Sequence, residues 1–451
     1  MSDVHPWTKN EARLRRRIFW VAFLLRVAYI TLAHTYRIRP VEGHFQFGWE
    51  MGRIAQALAT GFGYADPFEG HTGPTAWSPP LYVFLIAGAF KLFGVYSALS
   101  AWFILAVNSL MSASTAVAVW EIARRCFNAR VALWSGWIWA LYPAAMQFAV
   151  RWIWEMSATA WLFAWIFVLA LRMRYDERGQ IWLRWCCFGL LWGVLALTSP
   201  TPCIMLPVLG LWLVFHAQRK PQVLAKAVVS GVLFCAVIAP WAIRNWNVFH
   251  RFIPLRGNFG AENYMGNGPW SVGFPWGATV RFEDRALLRE YATVGEPVWV
   301  ADRGEKAKVW IATHHKRYME LNLKRAYMFW FGVPHPYEHG VAGMIGEWVR
   351  LISFQFISLA GWFGIVLAMR ERKPAAWMMF FCVLLMPITY YLVTVQARFR
   401  HVLEPILCVA GVYLFQSAEP GNFGRAGAAK FAWLGRLVTP LKPFFRGESQ
   451  V

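Results

Sequence analysis

Of the 451 residues, 58% are hydrophobic and only 15% are charged, a balance that excludes a water-soluble enzyme. Forty-five Lys and Arg against 24 Asp and Glu give a formal charge of +21, which in a soluble chain would point first to nucleic acid. In a membrane protein the same excess reports orientation instead, because basic residues gather in cytoplasmic connections. The seven cysteines show neither CxxC nor Cys/His metal spacing and read as small buried hydrophobes.

A bilayer-spanning helix needs about 20 apolar residues, and about ten segments supply them. They lie at 18–36, 97–122, 130–150, 157–172, 184–200, 203–217, 226–243, 351–369, 376–395 and 401–417. The first has no small-residue cleavage site and is interrupted by Arg26, so it reads as a retained span rather than a signal peptide. Alternate connections carry the basic residues, among them Arg13 to Arg17, Arg124, Arg125, Arg172, Arg174, Arg370 and Lys373. On that side about 23 basic residues face about 8 acidic ones, which puts both termini in the cytoplasm. The expected fold is an all-α polytopic membrane protein. Its expected divisions are a basic amino terminus (1–17), a transmembrane region (18–243), a periplasmic loop subdomain (244–350), a second transmembrane region (351–417) and a basic tail (418–451).

Two outer segments are too long to be turns and are expected to be functional. The first, 37–96, holds a helix-compatible stretch from Gly52 to Gly61, then the breaks Gly73-Pro74 and Pro79-Pro80. Leu81 to Phe93 follows, apolar but too short to span, and reads as a helix lying in the interface. The second segment, 244–350, mixes charged stretches with Trp residues and reads as a small subdomain on the membrane surface.

Candidate chemistry lies in these outer segments. Glu50 sits in Gly48-Trp49-Glu50-Met51-Gly52-Arg53, where aromatic neighbours would raise its pKa toward that of a general base. A salt bridge with Arg53 is the alternative reading, and Glu42 and His44 lie close by in sequence. Glu155, at the outer end of the third span, is either paired with Arg151 or part of an active-site wall. Arg398, Arg400 and His401, with Glu404, gather where the last span enters, which suits a phosphate at headgroup height or snorkelling to lipid. Arg244 and Asn245 close the seventh span, and Glu262 and Asn267 stand in a Gly- and Asn-rich loop of a kind that hydrogen-bonds a polyhydroxylated ligand or simply turns. No metal cluster and no Gly-rich nucleotide loop is visible, so a group transferred on the outer face must arrive already activated, most simply on a lipid carrier.

Several segments together carry a family resemblance. They are Gly48 to Ala55, Gly61-Phe62-Gly63-Tyr64, Thr72 to Tyr82, Trp152-Ile153-Trp154-Glu155, Pro240 to Asn245 and Arg398 to Pro405. In order and membrane side the chain resembles the GT-C superfamily of glycosyltransferases that use polyprenyl-phosphate sugars, a group that includes protein O-mannosyltransferases and lipid A aminoarabinose transferases, and more closely it looks like bacterial glycosyltransferase family 39 type proteins. The resemblance implies a first-loop acidic catalytic residue, carried here onto Glu50, with Glu42 or Glu155 as a candidate second acid. It departs from the family in having Trp49-Glu50 where an Asp-Glu pair is common. It also implies outer basic residues around the carrier phosphate, assigned to Arg398 and Arg400 with Arg244 as a further candidate. A divalent cation is left open. The implied partners are a polyprenyl-phosphate-linked sugar, an acceptor that is protein, lipid or glycan, and the bacterial inner membrane, with no nucleic acid. A transporter or lipid flippase is the rival reading, in which Arg26 would line a pathway.

Overall fold

The computed structural model describes residues 9–38, 45–176, 180–217, 220–273, 284–333 and 340–418. Glu42, His44 and the tail from 419 onward therefore lie outside the described residues. The amino-terminal half runs through α1 (Lys9–Leu32), α2 (Glu50–Thr60), α3 (Pro80–Phe93), α4 (Ala98–Cys126), α5 (Ala129–Leu141), α6 (Pro143–Val150), α7 (Met156–Tyr175), α8 (Trp182–Ala196) and α9 (Met205–Phe215). Then come α10 (Lys220–Phe249), α11 (Phe259–Gly266), α12 (Arg285–Val294), α13 (Glu296–Thr313) and α14 (His315–Phe331). The chain closes with α15 (Gly340–Arg370), α16 (Ala376–Leu385), α17 (Ile388–Leu392) and α18 (Glu404–Ser417). Among the described residues there is no strand, only one isolated bridge between Ala65 and Pro74.

Among the described residues four helices are long and apolar enough to cross a membrane: Ala98–Cys126, Met156–Tyr175, Pro221–Phe249 and Trp348–Arg370. Several of the other expected spans are divided into shorter helices, and proline is the cause. Segment 130–150 breaks at Tyr142-Pro143 into α5 and α6, and segment 376–395 breaks at Pro387 into α16 and α17. Proline lacks the N–H that the preceding turn needs and crowds the backbone before it. Arg26 repairs the first break. It is fully buried in α1 and donates to the carbonyls of Ala140 at 2.8 Å, Ala22 at 3.0 Å and Trp139 at 3.3 Å. Pro143 cannot supply the helical bond to Trp139, so the guanidinium does. The buried arginine is thus a helix-end donor enclosed by protein.

The bundle is held by small-residue contacts between helices. The heaviest packing joins α15 to α18, α10 to α8, and α4 to α1, α5 and α7. At Gly364 any Cβ would collide with the Ala410 carbonyl, so α15 and α18 approach backbone to backbone. At one end, Glu121 of α4 is buried and takes Arg15 at 2.6 Å, Arg172 at 3.3 Å and Arg125 at 3.6 Å, tying α1, α4 and α7 together. At the other end, α2 and α3 pack on each other beside α4, and α11 lies on α13. The 20 residues of α7 separate these two ends by roughly 30 Å.

Candidate active site

Three chain segments converge at the end away from Glu121. The first is the turn into α2. Gly48 has φ 76°, Trp49 has φ 39°, and a Cβ on Gly48 would stand 2.6 Å from the Ile153 carbonyl. The Ile153 amide in turn donates to the Gln46 carbonyl at 2.8 Å. Only a glycine fits that approach, and it seats the start of α2 against the residues that lead into α7. A left-handed Trp49 is backbone strain held by its surroundings: its ring meets Phe68 at 6.4 Å and carries the Arg53 guanidinium at 5.5 Å.

Glu50 emerges from this turn as the first residue of α2, 9% exposed. Burial pushes its pKa up from an ordinary 4.5 to about 7, against the opposing pull of Arg398 and Arg256. No ion pair joins Glu50 to Arg53 among the described residues, so that alternative is set aside; Arg53 covers Trp49 instead. Glu155 caps the start of α7, and its Oε2 is buried without a hydrogen-bond partner. Among the described residues no ion pair joins Arg151 to Glu155.

Arg398 supplies the third segment, in the 3-10 turn Ala397–Leu403. Its guanidinium lies 3.5 Å from the centroid of the Trp154 ring, and its Nε and Nη1 are buried with no hydrogen-bond partner. Burial lowers its pKa, while Glu155, Glu50 and Glu262 act in the opposite direction. An arginine stacked on an indole with unpartnered Nε and Nη1 has the charge and donor geometry that an oxyanion can accept.

Glu262, on α11, borders the same space and accepts from Asn258 at 3.0 Å and Arg256 at 3.3 Å. Two further neighbours were not singled out from the sequence as site residues. Arg256 also donates to the Trp77 carbonyl at 3.0 Å, and Tyr390 stacks on Phe399 at 4.5 Å within the field of Glu155, Arg256 and Arg398.

Other expected ligand contacts are corrected by the structure. Arg400 is fully buried, and its two Nη groups are held by the Phe354 carbonyl at 2.9 Å, Ser358 Oγ and Glu404 at 3.0 Å, with Nε left unpartnered. His401 is equally buried against Glu404 at 2.6 Å. Neither can reach a phosphate. Arg244 donates to the carbonyls of Thr75 at 2.7 Å and Tyr64 at 2.8 Å, clamping the first outer segment to α10, and Asn245 holds the Ile253 carbonyl at 2.8 Å. Asn267 is enclosed by Asn263, the Leu392 carbonyl and Arg325. These polar groups fasten loops because buried donors and acceptors must be matched. Glu296, which sequence reasoning passed over, does the same: it is buried and accepts from the Ala76 amide at 2.7 Å, Tyr291 OH at 2.6 Å and Thr75 Oγ1, and burial raises its pKa. Among the described residues no group of three or more His, Cys, Asp and Glu stands ready to hold a metal ion.

Comparison with known proteins agrees with this architecture. Residues 78–243 match the family model described as dolichyl-phosphate-mannose-protein mannosyltransferase. No curated protein matches the chain in sequence. The archaeal oligosaccharyltransferase AglB from Archaeoglobus fulgidus, in complex with an inhibitory peptide and a dolichol-phosphate, is similar at TM-score 0.52 and 13% identity, over 98% of this chain and 53% of that one. The Archaeoglobus fulgidus oligosaccharyltransferase in complex with Zn and sulfate is similar at TM-score 0.52 and 14% identity, over 94% and 51%. Its apo form is similar at TM-score 0.51 and 14% identity, over 95% and 55%. The chain thus spans about half the length of these solved relatives. The chain shares the fold of these membrane enzymes, and residues 78–243, the part that carries α3 to α9 and most of α10, match the mannosyltransferase family model. It is a multi-pass membrane protein of that fold.

Proposed function

We propose that the chain transfers a sugar from a polyprenyl-phosphate carrier to an acceptor hydroxyl on the outer, periplasmic face of the bacterial inner membrane. The observation that carries this is a buried carboxyl, Glu50, in the field of a partly buried guanidinium, Arg398, whose Nε and Nη1 have no hydrogen-bond partner. The acceptor oxygen attacks the anomeric carbon as its proton passes to Glu50. The new glycosidic bond forms while the bond from that carbon to the phosphate oxygen breaks, and the electron pair leaves with the phosphate. Arg398 neutralises the phosphate as its charge grows, so no separate acid is needed for the leaving group. Glu155 and Glu262 line the space between them, where carboxylates suit the hydroxyls of a sugar. One displacement inverts the anomeric centre. The orientation, with both termini cytoplasmic, is supported by the basic groups around Glu121 at the opposite end of α7.

The test is transfer by the full chain in proteoliposomes, using synthetic polyprenyl-phosphate sugars of defined anomeric configuration. A product of opposite configuration is expected. Retention of configuration, or equal transfer from a nucleotide sugar without any lipid carrier, would overturn the reading.

A further inference from the structure

Two residues beyond Arg398 the chain enters a buried group of charges that no substrate can touch. Glu404, the first residue of α18, is fully buried and accepts three donors: His401 Nδ1 at 2.6 Å, Arg400 Nη2 at 3.0 Å and Tyr142 OH at 3.2 Å. Arg400 reaches on to the Phe354 carbonyl and Ser358 Oγ of α15 and to the last turn of α14 through the Trp330 carbonyl at 3.4 Å. The His401 ring stacks on Trp139 with centroids 5.6 Å apart, beside the α5–α6 break that Arg26 repairs.

Stability alone does not explain such a cluster, because well-packed apolar residues would serve a buried site at least as well as an ion pair. What the charges supply is a unique geometry. The 3-10 turn Ala397–Leu403 has no side-chain cap of its own. It is fixed instead by Arg400 and His401, and one carboxylate holds both.

We propose that Glu404 is a positioning residue for donor binding: by holding Arg400, His401 and Tyr142 together it fixes the 397–403 turn and thereby aims Arg398 at the carrier phosphate. This rests on the reading of Arg398 given above. Displacing a guanidinium by an ångström is enough to weaken a phosphate contact steeply while leaving the acceptor side of the site in place.

The experiment compares steady-state transfer by the reconstituted full chain carrying Glu404→Gln, Arg398→Ala or both, with thermal unfolding of each in detergent. Glu404→Gln keeps the shape but not the charge or the second acceptor, and should raise the donor KM roughly tenfold with little change in the acceptor KM. In the Arg398→Ala background the same change should add less than about twofold, since the group it positions is gone. Should Glu404→Gln fail to fold, His401→Phe keeps a ring against Trp139, removes one of the three donors and should raise the donor KM roughly threefold. A lowered melting temperature with a wild-type donor KM, in whichever of the two variants folds, would overturn the positioning role, as would effects of Glu404→Gln and Arg398→Ala that simply multiply. An unchanged donor KM in Arg398→Ala itself would instead overturn the phosphate reading on which the proposal rests.

Discussion

Glu50→Gln should lower kcat by roughly 100-fold or more in the reconstituted transfer reaction, because the variant keeps the shape of the side chain and loses the base. The wild-type rate should rise with pH through about 7, where the buried carboxyl loses its proton, and the residual rate of the variant should not follow that curve. A second consequence separates this residue from an ordinary structural acid. Its pKa is raised above the ordinary value, so the folded chain holds the proton more tightly than the unfolded one, and this contribution to stability is lost as pH rises from about 4.5 through about 7. Glu50→Gln should therefore melt at a higher temperature than wild type above pH 7 and at nearly the same temperature below pH 5. A variant that is both fully active and less stable would contradict the assignment.

Arg398→Ala should lower kcat/KM for the lipid-linked donor by roughly 100-fold, with the acceptor KM nearly unchanged, since removing a donor aimed at developing charge typically costs that much. Arg398→Lys should recover only part of the loss. A lysine offers a point charge where the arginine offers a planar fork, and it cannot stack on Trp154 as the guanidinium does at 3.5 Å. Equal effects on donor and acceptor would mean that the residue supports the site as a whole and does not meet the phosphate.

Much of this architecture was legible in the sequence, for reasons that are local. Gly61 at φ 95° ends α2 where the Gly52 to Gly61 stretch was expected to stop, and Pro80 starts α3 where the short apolar segment begins. The long spans α4, α7 and α15 follow their hydrophobic runs. Where helices break at Pro143 and Pro387, the apolar composition continues across the break, so a reading by hydropathy joins what the backbone divides.

The site was legible in its parts but not in its pairing. Arg398, Arg400, His401 and Glu404 looked like one phosphate cluster because they are neighbours in the chain. Their environments diverge because Phe354 and Ser358, more than 40 residues away, hold the Nη1 group of Arg400. The same holds for Arg244, whose partners Thr75 and Tyr64 lie in a different outer segment. Long-range hydrogen-bond demand, which leaves no local sequence pattern, decided which arginine of this cluster kept an Nη group without a partner.

The account turns on a phosphate lying between the start of α2 and the 397–403 turn. A structure of the full chain in a lipid bilayer with an added polyprenyl phosphate tests this most directly. The account predicts the phosphate within hydrogen-bond distance of Arg398 Nε or Nη1, on the side of Trp154 that faces Glu50, with the lipid tail running into the membrane. A phosphate held only at the opposite end of α7, near Glu121 and Arg172, would contradict it.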